Sequence, residues 1–141
     1  MPLAGLVDEK ERFKFSYDKV VEVQERYKGN KEALENFSNL AQRLPPMLVN
    51  NGILMTMTYM LKRAEKDGGR EFTLALVEWL RKRGFIRISE DSMKEVKILA
   101  ANLLEELLEK DTHEIASMTS ELLRLSEAFK VLVRAMMDVE G

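Results

Sequence analysis

Apolar side chains recur at three- and four-residue spacings along almost the whole chain, the period of one face of an α-helix. Phe13, Tyr17, Val20 and Tyr27, with Val21 and Gln24 between, predict a first helix over about residues 8–28, stopped at Gly29-Asn30. Ala33, Leu34, Phe37, Leu40, Ala41 and Leu44 continue the period in a second helix. Pro45 disfavours the helical conformation at Leu44, so that helix is expected to end there. The two prolines then suit the first turn of a third helix, over about residues 46–66.

Within it, Ile53–Leu61 is apolar or weakly polar on every side, which predicts burial all round. Gly52 costs about 1 kcal/mol relative to alanine in a helix. Two readings compete there: close approach of another backbone, with Asn50 and Asn51 bonding at the contact, or a simple kink. Asp67-Gly68-Gly69 breaks the chain, and Phe72, Leu76, Trp79 and Leu80 mark a fourth helix. Arg81-Lys82-Arg83 and Gly84 close it, cations at the negative end of the dipole and glycine in the left-handed cap. Phe85–Ile88 is the only strand-like segment. Ser89 or Ser92 is expected to cap a fifth helix carrying Met93, Val96, Ala100, Leu103 and Leu107. Asp111 to Glu114 has the form of a capping box. The last helix follows, with Ile115, Met118, Leu122, Leu125, Phe129, Leu132 and Met136 on one stripe. With no fixed-period repeat and no low-complexity linker, the pattern predicts an all-α, compact single-domain bundle of about six helices over 1–141, its core over 8–138.

Composition narrows the chemistry. A hydrophobic fraction of 45% in 141 residues suffices for a proper core. Cysteine is absent, which removes disulfides, thiolate metal sites and cysteine nucleophiles, and fits a reducing compartment. His113 is the one histidine, so a multi-histidine metal centre cannot be built within one chain; in the capping box it reads as a solvated first-turn residue. The opening MPLAGLVDEKER is too short in its apolar stretch for a signal peptide. No apolar run approaches the roughly 18 residues that span a bilayer, so a soluble, cytoplasmic protein without membrane contact is expected. Asp67-Gly68-Gly69-Arg70 lacks the ending of a P-loop, and no Glu-x-x-His motif occurs in the paired copies a di-metal bundle needs. The nine methionines, spread over several helices, read as core filler. Neither catalytic residue, metal nor cofactor is expected.

The net charge of -2 conceals a bipolar chain. Residues 41–87 hold nine bases against four acids, or +5, and the rest carries -7. Such a chain can offer an anionic partner one attractive face, although charged solvated helix faces would look the same. Lys62, Arg63 and Lys66 cluster along one helix edge, and Arg81, Lys82 and Arg83 end the next helix. Trp79 shares the inward stripe of Phe72, Leu76 and Leu80, which favours a core tryptophan over a base-stacking one.

The most distinctive stretch is residues 41–61, AQRLPPMLVNNGILMTMTYML. It resembles the signature of the small-subunit family of the type III-B CRISPR (Cmr) effector complex. In that family a basic residue two before proline leads to an Asn-Gly-Leu turn and a long apolar helix. Arg43, Leu44, Pro45, Asn51, Gly52 and Leu61 take the matching places, with Ile53 where leucine is usual. Asp111, Glu121, Leu123, Phe129 and Lys130 are similar to the family's last helix, but Ala128 and Val131 replace its tryptophan and second base.

The resemblance implies an all-helical, non-catalytic subunit. Its partners would be other Cmr subunits and further copies of itself, stacked in an inner filament along the duplex of guide RNA and target RNA. Arg43 and Lys130, at motif positions, then join Lys62, Arg63, Lys66, Arg81, Lys82 and Arg83 as candidate RNA-binding residues. Such a subunit needs cations that meet phosphates rather than groups that read bases. Two other readings stand beside it: a winged-helix regulator, from the recognition-type helix before Phe85–Ile88, and a helical scaffold or dimerisation protein without nucleic acid.

Overall fold

The computed structural model describes the backbone of residues 2–137 and side chains from residue 8 onward; the expected core limit at 138 lies outside the described residues. Five α-helices occur in the order α1 (Pro2–Arg26), α2 (Lys31–Arg63), α3 (Gly69–Lys82), α4 (Val96–Glu109) and α5 (Thr112–Met136), with a 3-10 turn at Ser92–Lys94 before α4. No strand is present among the described residues, so the all-α expectation holds. The expected count of about six does not.

The difference lies in α2. Helical backbone continues through Leu44, Pro45 and Pro46, and breaks at Gly52, with φ 80° and ψ 169°. Each proline removes one helical hydrogen bond. Ala41, Leu44, Pro45 and Leu48, all buried, share one inward stripe on both sides of the prolines, and a break there would turn half of it out of the core. Packing overrides the local preference. A Cβ at Gly52 would meet nothing within 4 Å, so the close-approach reading fails and the kink reading stands.

The kink is severe. Arg43 and Tyr59 are 16 residues apart, about 24 Å along a straight helix at 1.5 Å per residue, yet their side chains are hydrogen-bonded. Asn36 donates to the Asp67 carbonyl, 31 positions on. A Cβ at Gly68 would collide with the Ala33 carbonyl, and one at Gly69 with that of Arg63. Residues 31–51 and 53–63 therefore fold back on each other as two limbs of a helical hairpin. Close backbone approach does occur in this protein, at Gly68-Gly69 rather than at Gly52.

The second limb is not buried all round. Ile53, Thr56, Met57, Met60 and Leu61 face inward, but Leu54 is 37% exposed and Met55 67%, with Val49 before the break at 70%. These three apolar side chains flank the bend, beside the exposed Asn50 and Asn51.

Helix α1 has the predicted period but a different phase. Arg12, Phe15, Ser16, Val20 and Val23 are buried, whereas Phe13 and Tyr17 are nearly half exposed. Arg12 goes inward because a buried carboxylate, Glu121, receives it at 2.8 Å. The chain then turns at Gly29, φ +83°, and Asn30 caps α2 by accepting from the Ala33 amide.

Helix α5 packs on α1 and α2, and α3 packs on α2. Phe37 of α2, Phe72 of α3 and Phe129 of α5 meet edge to face with centroids 5.2–6.1 Å apart, the centre of the core. Trp79 is 1% exposed, as its stripe predicted, and its indole N–H donates to Glu121 at 2.9 Å. Gly84 adopts the left-handed cap at φ +83°. The capping box at α5 forms as predicted: Asp111 accepts from the Glu114 amide at 2.8 Å and Glu114 from the Asp111 amide at 3.2 Å.

Between α3 and α4, the expected strand-like Phe85–Ile88 forms no strand: Phe85 lies in a bend and residues 86–88 have no regular structure. Ile86 and Ile88 are buried, and the intervening Arg87 amide donates to both oxygens of Glu106. A carboxylate serves where a partner strand would, and no wing exists among the described residues. Ser89 accepts from the Ser92 amide in the turn that leads into the 3-10 segment, but neither Asp91 before that segment nor Glu95 before α4 makes a side-chain cap bond. The serine cap expected for the fifth helix is therefore not made.

Candidate nucleic-acid interface

The eight candidate residues separate into unlike groups. Arg43, Arg63 and Lys66 come together. They line one cavity of about 130 Å³ with Asn36, Asn39 and Tyr59, between the two limbs of α2. Arg43 Nη1 donates to the Tyr59 hydroxyl at 2.7 Å. The Arg63 guanidinium lies 5.0 Å from the centre of the same ring, within cation–π range. No carboxylate lines the cavity, and none of the three cations forms a salt bridge among the described residues. Of the two acids that flank Lys66 in sequence, Asp67 bonds Arg70 at 3.0 Å, and Glu65 lines the separate groove that holds Lys62.

The local sequence explains the grouping. Tyr59 and Arg63 are one turn apart, so ring and guanidinium share a face. Arg43 reaches the same ring only because Gly52 returns the chain. Lys66 falls in the turn just past the end of α2, whose carbonyls favour a cation.

Lys62 is exposed but lies away from this cavity, along an apolar groove with Leu61, Glu65, Val96, Lys97 and Leu104. Lys130 is half-buried on α5, with no ion pair among the described residues. Arg134, one turn further on, donates to Gln42, the neighbour of Arg43.

Arg81 and Arg83 are already engaged by acids, whereas Lys82 is exposed and has no ion pair among the described residues. Arg83 sits 5.6 Å from the Trp79 ring and pairs with Asp8 at 3.4 Å and Glu11 at 3.9 Å. Arg81 pairs with Glu90 at 3.8 Å, and Lys82 lies 6.0 Å from the Phe15 ring. These contacts fasten the end of α3 to α1 and to the following loop. The triplet's local net charge is correspondingly reduced.

Tyr59 and Asn39 were not among the sequence candidates. Each stands four residues before an arginine of the cluster, a helical-face signal the sequence does carry. Nothing in sequence, however, tells that positions 43 and 59 meet.

A larger cleft, about 930 Å³, lies elsewhere, among Lys19, Glu22, Arg26, Tyr27, Glu71 and Glu78. Its charges are mixed. Tyr27 donates to Glu71 at 2.9 Å, and its pKa is pushed up to about 12 by burial first, then by that hydrogen bond and the charges of Glu71 and Asp67. Glu71 also accepts from the Gly68 amide, so this carboxylate ties the end of α1 to the start of α3. No group of three or more His, Asp or Glu residues placed to hold a metal ion occurs among the described residues. Nor is any described helix long and apolar enough to cross a membrane.

Fold and site together define a small all-helical protein with a basic, carboxylate-free recess between two helical limbs. The chain matches the family described as CRISPR-associated protein (Cas_Cmr5) over residues 8–136, and it belongs to that family. The family is the small subunit of the type III-B Cmr complex and associates with the other subunits of that complex.

Proposed function

We propose that the chain acts as one helical domain over residues 1–141, a non-catalytic small subunit of a cytoplasmic type III-B Cmr effector. Copies of it stack in the inner filament and support the guide RNA–target RNA duplex. Family membership supports the place in the complex. For the contact with RNA, the observation that carries the reading is the gathering of Arg43, Arg63 and Lys66 around Tyr59 with no acid among them. Unpaired cations on a surface are free to replace the counterions of a phosphate backbone. Lys62, Lys82 and Lys130 supplement this group, whereas Arg81 and Arg83 share their charge with protein acids and rank below it. The exposed Val49, Leu54 and Met55 supply the kind of apolar surface on which neighbouring subunits dock.

The test uses the assembled complex carrying Arg43→Gln, Arg63→Gln and Lys66→Gln, with target RNA affinity measured across a salt series. The expected result is weaker binding and a shallower slope of log affinity against log salt, by about 0.9 per lost phosphate contact on the B-DNA scale. The triple change at Arg81, Lys82 and Arg83 is expected to lower the slope less. Unchanged affinity and slope in the first variant reject the reading.

A further inference from the structure

We propose that the Tyr59 cavity is a seat for a single oxyanion, filled in the working complex by one phosphodiester of the RNA backbone, and that Tyr59 is its positioning residue. The inference rests on the RNA-supporting reading above but makes a narrower claim. Three features of the cavity point to it.

The first is charge. Three cations line one small space without a counterion. Like charges held together repel, and an anion placed among them relieves that repulsion. The second is size. At about 130 Å³ the cavity is well below the roughly 300–1,000 Å³ of sites for drug-sized ligands, so it suits one small group rather than a whole nucleotide.

The third is the hydrogen bonding of Tyr59. Its oxygen accepts from Arg43, and the phenol proton has no acceptor among the described residues. A phenol carries one donor besides its acceptor capacity, so occupation of its oxygen by a guanidinium directs the proton away from Arg43. Arg43 donation also polarises that O–H. The ring face meanwhile carries Arg63. One side chain thus holds guanidiniums from both limbs of the hairpin and offers a neutral donor between them. Asn39, exposed and without a side-chain hydrogen bond among the described residues, lines the same space as a second neutral donor.

The seat is tested on the isolated full-length chain by NMR titration with inorganic phosphate, against chloride at equal ionic strength. The expected result is saturable shifts of the Tyr59 ring and of the Arg43 and Arg63 Nε–H signals, absent with chloride. Tyr59→Phe keeps the ring under Arg63 and removes the hydroxyl; it should weaken phosphate binding about tenfold, the scale of one hydrogen bond to a charged group. Absence of saturable shifts overturns the seat, and so does tighter binding of a glutamate-rich peptide than of phosphate.

The RNA arm uses the assembled complex. Tyr59→Phe should lower target RNA affinity several-fold with an unchanged salt slope, because no cation is removed, while Arg63→Gln lowers the slope. If phosphate titrates into the seat but Tyr59→Phe leaves RNA affinity unchanged, the phosphodiester assignment is overturned. The broader reading then stands or falls separately with the triple-charge variant.

Discussion

Arg12 and Glu121 stand 109 positions apart and meet inside the protein, Nε to Oε2 at 2.8 Å and Nη2 to Oε1 at 3.3 Å. Their side chains are 10% and 8% exposed, and the Trp79 indole donates to the same carboxylate oxygen at 2.9 Å. One carboxylate therefore joins α1, α3 and α5. Glu121 is also a position at which the last helix resembles the family motif, and the structure gives it a structural task.

Glu121→Ala is expected to destabilise the fold by about 3–5 kcal/mol, because it leaves the Arg12 charge buried and unpaired. Removing both charges, as Arg12→Met with Glu121→Leu, should cost less than Glu121→Ala alone despite the orphaned indole N–H. Urea unfolding of the three proteins decides it. A double variant as unstable as the single one would mean that lost packing, not the unpaired charge, dominates.

The glycines are expected to separate cleanly. Gly52→Ala meets open space but keeps φ 80° and ψ 169°, a region open almost only to glycine, so its cost is about 1–3 kcal/mol. Gly68→Ala combines a positive φ of its own with a collision against the Ala33 carbonyl and should be far more damaging. Thermal melts that rank Gly52→Ala as the worse of the two would contradict the hairpin geometry.

Alkaline stability should carry the signature of Tyr27. Its folded pKa is raised from 10.0 to about 12, so the folded state holds the phenol proton more tightly than the unfolded chain does. The resulting stabilisation is complete below pH 10 and is lost as pH rises through 12. Between those limits the wild type should lose stability relative to Tyr27→Phe. Parallel pH profiles for the two proteins in chemical denaturation would remove Tyr27 as the cause.

At the start of α5, Asp111→Ala is expected to cost about 1 kcal/mol, the usual loss for an N-cap acceptor, and Asp111→Asn much less. Both are measurable by equilibrium unfolding, because the site is exposed and far from the core contacts. A loss as large for asparagine as for alanine would place the effect in the charge rather than in the cap bond.

Much of this arrangement is legible from local pattern. The stripes of α3 and α5, the cap at Asp111, the left-handed Gly84 and the inward Trp79 all follow from spacing and side-chain chemistry, because each depends on neighbours within one or two helical turns. The misreadings share the opposite property. Pro45-Pro46 reads as a boundary because the local preference is strong, but burial of Leu44 and Leu48 outweighs it. Phe13 and Tyr17 read as core because they are apolar, yet α1 turns Arg12 inward to a carboxylate supplied by α5. In the candidate site, sequence singled out Arg43, Arg63 and Lys66 among five other cations. It gave no ground for separating them from Arg81, Lys82 and Arg83.

Local order in the chain is enough to specify helices throughout, because helical periodicity and caps are written in adjacent residues. It also determined the resemblance to the Cmr small subunit, carried by a contiguous motif. Which cations stay free and which are spent on internal partners is settled by long-range packing alone. That outcome depends on a single backbone reversal at Gly52 and on contacts between residues 16 to 109 positions apart. Periodicity fixes the face a residue occupies on its own helix, but not what another helix brings to meet it.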